Sequence, residues 1–83
     1  MSNENGSMTR QTMVPDWGLV IEQLGGAGCG NTAIGRAMGM QVTDRMIRYY
    51  RDGMQPAWWR GQMLLELWAE RLGRSISDVP MTE

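Results

Sequence analysis

The chain has no lysine, no histidine and no phenylalanine, and only one cysteine, Cys29, among its 83 residues. A lone cysteine excludes an intrachain disulfide, and without histidine there is no conventional zinc set. Between two glycines, Cys29 reads as a small apolar filler at a helix junction rather than a reactive thiol. No apolar run approaches the roughly 18 residues of a membrane span, and the start of the chain lacks the apolar core of a signal peptide. A soluble, intracellular protein with no membrane partner is expected. The acids occur singly on helical faces, and no nucleophile stands beside a base, so neither an enzyme nor a bound cofactor is expected.

What bulk there is comes from four tryptophans, two tyrosines and nine methionines. A domain of this size buries only about 60% of its unfolded surface, so its core must be compact. Residues 1–13 carry no apolar period and read as a disordered arm; 14–74 read as the folded domain and 75–83 as a flexible tail. The formal charge of -1 conceals an uneven distribution. From Asn31 to Arg74, Arg36, Arg45, Arg48, Arg51, Arg60, Arg71 and Arg74 face only Asp44, Asp52, Glu66 and Glu70, a balance of +3. Every cation is arginine, whose planar fork suits phosphate and the guanine edge.

The apolar spacing predicts four helices and no strand. Asp16 caps a first helix that turns Trp17, Val20, Ile21 and Leu24 to one side and ends in Gly25, Gly26 and Gly28. A second opens at Gly30 or Asn31, carries Ile34, Ala37 and Met38, and closes at Gly39. After a turn from Gln41 to Thr43, Thr43 caps a third, which points Met46, Ile47 and Tyr50 inward and closes near Asp52 and Gly53. The fourth runs from about Ala57 to Leu72, with Trp58, Gly61, Leu64, Leu65, Trp68 and Leu72 along one face.

Helices two and three form a close pair in which the first props the second. Ala33, Ile34, Ala37, Met40, Ile47 and Tyr50 are the expected shared core, leaving Asp44, Arg45, Arg48 and Arg51 or Asp52 outside. Arg45 and Arg48, three apart, share one face and suit a major groove, where each can fork onto guanine O6 and N7. Gln41 and Thr43 sit at the entering end for phosphate or a base edge, Asn31 and Thr32 at the amide end of helix two form a phosphate site, and Arg36 reaches phosphate or solvent. The bland reading is a solvated face paired with Asp44 and Asp52, and the helix-pair context favours the groove. Tyr49 reads as half-buried support. Trp59, Met63 and Leu67 make a second apolar row on helix four, which with Trp58 would be the interface of a homodimer; the competing reading makes both rows core.

From Asp16 to Leu72, about two thirds of the chain, the sequence resembles the phage-repressor class of helix-turn-helix domains, the Cro and lambda-repressor type. The matching stretches are "AGCGNTAIGRAMGM", "TDRMIRYYRDG" and "PAWWRGQMLLEL". Within that class, "DRMIRYY" followed by a proline-aromatic turn and a long helix is similar to the anti-CRISPR-associated repressors, small dimers that silence anti-CRISPR operons by binding inverted repeats in the promoter. The resemblance implies an all-α, four-helix helix-turn-helix domain that binds palindromic double-stranded DNA as a homodimer in the cytoplasm of a bacterial host. It also implies a DNA contact at Arg45. The turn from Gly39 to Ile47 is about two residues longer than is usual in such pairs, and Thr32 and Ala33 stand where related proteins often carry polar or basic groups, implying weaker phosphate anchoring. A reading from a different class is a protein-interaction module, an antitoxin-like or antirepressor adaptor, using the Trp and Met face of the last helix; the calculated pI near 5.3 favours it slightly.

Overall fold

Asp16 starts the first helix as expected: its Oδ1 accepts from the Leu19 amide at 3.2 Å, satisfying one of the free donors of the first turn. The computed structural model, which describes residues 13–82, contains a short strand β1 (Val14–Pro15) and four helices, α1 (Trp17–Gly26), α2 (Asn31–Ala37), α3 (Asp44–Arg51) and α4 (Trp58–Leu72). A 3-10 turn (Ile76–Asp78) and a second short strand β2 (Met81–Thr82) follow. No described helix is long and apolar enough to cross a membrane. Apart from Met13, the arm expected over residues 1–13 lies outside the described residues.

The helices end alike. After α1, the Cys29 amide donates to Leu24 and that of Gly28 to Gly25; after α2, Met40 donates to Gly35 and Gly39 to Arg36; after α3, Met54 donates to Tyr49 and Gly53 to Tyr50. Each is the paired bonding of a Schellman ending, which requires a left-handed residue best supplied by glycine. Gly28 (φ 85°), Gly39 (67°) and Gly53 (109°) supply it, and Gly73 (65°) ends α4.

The core is built from one stripe of each helix: Trp17, Val20, Ile21 and Leu24 of α1, Ile34 of α2, Ile47 and Tyr50 of α3, and Leu64, Leu65, Leu67 and Trp68 of α4 are all buried, with Cys29 filling the α1–α2 junction. The Trp68 indole N–H donates to Gln23 Oε1 at 2.9 Å, so its polar atom is satisfied within the packing. Two glycines allow close approach. A Cβ on Gly18 would lie 2.7 Å from the Arg51 carbonyl oxygen, and one on Gly61 3.1 Å from Cη2 of Trp17. Gly18 therefore sets the separation of α1 from α3, because the obstructing atom is backbone. Gly18→Ala is expected to destabilise by about 1 to 3 kcal/mol through forced overpacking, read as a lowered midpoint in thermal denaturation; an unchanged midpoint would contradict this contact.

Four expectations are corrected. Met40 does not enter the shared core but is 76% exposed, because after Gly39 the chain takes a second left-handed residue (Met40, φ 63°) that turns its side chain out. Val42, 4% exposed, fills the place instead. Ala37 is exposed at the end of α2, and Trp58, expected on the inner face of α4, is 79% exposed because α4 begins there, clear of the helices it packs on. The tail also folds back: β2 pairs antiparallel with β1, Val14 opposite Thr82 and Pro15 opposite Met81, and the Asp16 amide donates to Pro80 at 2.8 Å. Val79 packs against the core on the way.

Candidate nucleic-acid interface

The pattern of α3 divides its residues cleanly. Ile47 and Tyr50 are buried and Met46 half-buried, which fixes the inner face against α1 and α2. Thr43, Asp44, Arg45, Arg48, Tyr49, Arg51 and Asp52 are all exposed on the other side. Thr43 caps the helix, its Oγ1 accepting from the Met46 amide at 3.1 Å, and its hydroxyl proton stays available to a partner. Thr32, Arg36 and Met40 share with Asn31, Thr43 and Asp44 the wall of a shallow depression of about 240 Å³ between α2 and the start of α3. Gln41 is exposed on the turn above it. The sequence-expected contact residues thus lie on one surface.

That surface carries an organised set of polar contacts. Asp44 Oδ2 lies 2.6 Å from Arg48 Nη2, one helical turn on. Asn31 Nδ2 donates to Asp44 Oδ1 at 2.8 Å, and Asn31 Oδ1 accepts from Arg51 Nη2 at 3.1 Å. The single side chain of Asn31 therefore joins the start of α2 to both ends of α3. With the Arg48 and Asp44 side chains 70% and 51% exposed, the ion pair is worth only about 0.3 to 0.5 kcal/mol and yields to a stronger partner. Among the described residues, neither Arg45 nor Arg36 makes a salt bridge or a side-chain hydrogen bond.

The Asn31 bridge was not legible beforehand. Its partners lie 13 and 20 positions away, and no local spacing signals them. Instead of offering its side chain to phosphate, Asn31 is committed to Asp44 and Arg51, and α2, at seven residues, has too few aligned peptides for a strong amide end. Thr32 and Arg36 are left as the open groups of α2. Tyr49, expected to be half-buried support, is exposed at 45%.

The residues expected at a dimer interface part company. Trp58 and Trp59 are exposed, and the Arg60 guanidinium stacks 4.5 Å from the Trp59 ring centroid. Met63 is half-buried, and Leu67, 8% exposed within one chain, belongs to the core. The reason is the breadth of the inner surface of α4: beyond its contact with α1, it lines a cleft of about 210 Å³ with Ala37 and Met38 at the end of α2, so Met63 and Leu67 face the chain's own second helix. Among the described residues there is no buried charged side chain and no group of three potential metal ligands. No protein-family model matches the chain, and no curated protein or solved structure shows significant similarity to it.

Proposed function

We propose that this protein is a sequence-specific double-stranded DNA-binding repressor that acts as a homodimer on an inverted repeat in a promoter, with α3 in the major groove. The observation that carries the reading is α3 itself, whose inner face is held by buried Ile47 and Tyr50 while Arg45, Arg48 and Arg51 stand exposed on the outer one. A rigidly propped helix with an arginine-rich outer face matches the physical demands of groove recognition. In this arrangement Arg45 forks onto guanine O6 and N7, Thr43 and Gln41 meet the edge of the groove or phosphate, and Arg36 and Thr32 contact the backbone. The acidic pI does not oppose this, because the positive balance lies between Asn31 and Arg74 and local potential governs association.

Trp58 and Trp59, with the exposed part of Met63, supply the apolar surface for a second copy, and a two-fold dimer would space its two α3 helices about one duplex turn, roughly 34 Å, apart. Resemblance to the anti-CRISPR-associated repressors makes a phage operon, including the protein's own gene, the natural target in a bacterial cytoplasm. Anisotropy titration of a labelled duplex over a range of salt concentrations tests the reading. Two protomers, each neutralising about two to four phosphates, give a slope of log K against log salt of about -4 to -7, with two chains per duplex at saturation. A partner protein retained by the tryptophan face in high salt, with no binding to duplex, would instead select the interaction module.

A further inference from the structure

Asp44 is the anomaly of the proposed interface, because it places a carboxylate at the leading turn of α3 where every phosphate repels it. It is nevertheless built in from two sides, with Arg48 on Oδ2 and the Asn31 amide on Oδ1, while Asn31 also tethers Arg51. Two of the three outward arginines of α3 are thereby held within the protein, and only Arg45 stands without such a contact among the described residues.

We propose that Asp44, positioned by Asn31, determines specificity by holding Arg48 away from the backbone of unrelated DNA and releasing it at a base step that offers a cytosine amino group beside a guanine edge. The inference rests on the DNA-binding reading above. On unrelated duplex, Arg48 can reach a phosphate only by leaving Asp44, which then faces the phosphates unpaired; the gain of one contact is cancelled by the loss of another. At the matching step both partners are exchanged at once. The cytosine N4 amino group donates to the Asp44 carboxylate, and guanine O6 and N7 accept the Arg48 fork. Restraint on random sequence and preference for cytosine are thus two consequences of one carboxylate.

The test compares wild type with Asp44→Asn and Asp52→Asn on two probes, a random-sequence duplex and the duplex enriched by wild type from a randomised pool. Asp52, exposed at the C-terminal cap of α3 and without a salt bridge among the described residues, gives the same change of charge away from Arg48. For Asp44→Asn, freeing one charge per protomer is expected to raise random-duplex affinity about eightfold per protomer near 0.1 M salt and to steepen the salt slope by about 0.9 for each. Affinity for the enriched duplex changes less, and preference for cytosine at one position of each half-site disappears. Asp52→Asn leaves both discrimination and the cytosine preference in place. Equal relaxation by the two variants, or an Asp44→Asn protein that binds random duplex like wild type, overturns the inference while leaving the DNA-binding reading intact; a wild type that enriches no duplex overturns both.

Discussion

Arg45→Ala is expected to abolish sequence discrimination while leaving the fold untouched. A bidentate arginine contact to guanine contributes about 1 to 3 kcal/mol of discrimination per half-site, and a dimer loses two. The cognate affinity should therefore fall at least thirtyfold or so, while binding to random duplex weakens only by the loss of one charge per protomer. Two properties of Arg45 make the prediction clean. It is exposed on the outer face of α3, and among the described residues it makes no salt bridge or side-chain hydrogen bond whose loss would disturb packing. Circular dichroism and the thermal midpoint should be those of wild type. A variant that keeps cognate preference would remove Arg45 from the groove and leave Arg48 as the reader of that face.

Trp68→Ala is expected to show the largest loss of stability of any single truncation in the chain. Trp68 is completely buried at the centre of α4 and is the largest fully buried side chain. Truncating such a residue costs about 3 to 5 kcal/mol in lost transfer energy and residual cavity, and here it also strips Gln23 Oε1 of its donor. Domains of this kind have a total of about 5 to 15 kcal/mol, and a small core places this one toward the low end, so most of the margin disappears. Urea denaturation should show the midpoint moving sharply toward zero denaturant. Trp58→Ala is the built-in contrast: four-fifths exposed at the start of the same helix, it should leave the midpoint nearly unchanged. Similar midpoints for the two variants would contradict the placement of α4 on the core.

These two tryptophans also mark the limits of what periodicity reveals. Counting apolar positions placed Trp58 and Trp68 on one stripe, and they do share a helix face, but the stripe is covered only where neighbouring helices reach it. The same tertiary effect works in reverse at Leu67, which pattern alone put in an outward row and which the end of α2 covers. What depended on local chemistry was legible: the Asp16 and Thr43 caps, the glycine endings, and the inward Ile47 and Tyr50. What depended on backbone geometry or distant partners was not. Met40 looked like a core residue until its left-handed conformation sent Val42 inward in its place. The two-residue strands are too short to display any alternation, and the Asn31 bridge to Asp44 and Arg51 exists only once α2 and α3 are packed.

The most direct measurement of the central claim is a gel-shift titration of the purified full chain against the DNA upstream of its own gene, at near-physiological salt, with excess unrelated duplex as competitor and Arg45→Ala run in parallel. The account predicts a discrete shift with wild type that survives the competitor, maps to an inverted repeat and is lost with Arg45→Ala. No shift, or one that unrelated duplex removes and Arg45→Ala preserves, would contradict it.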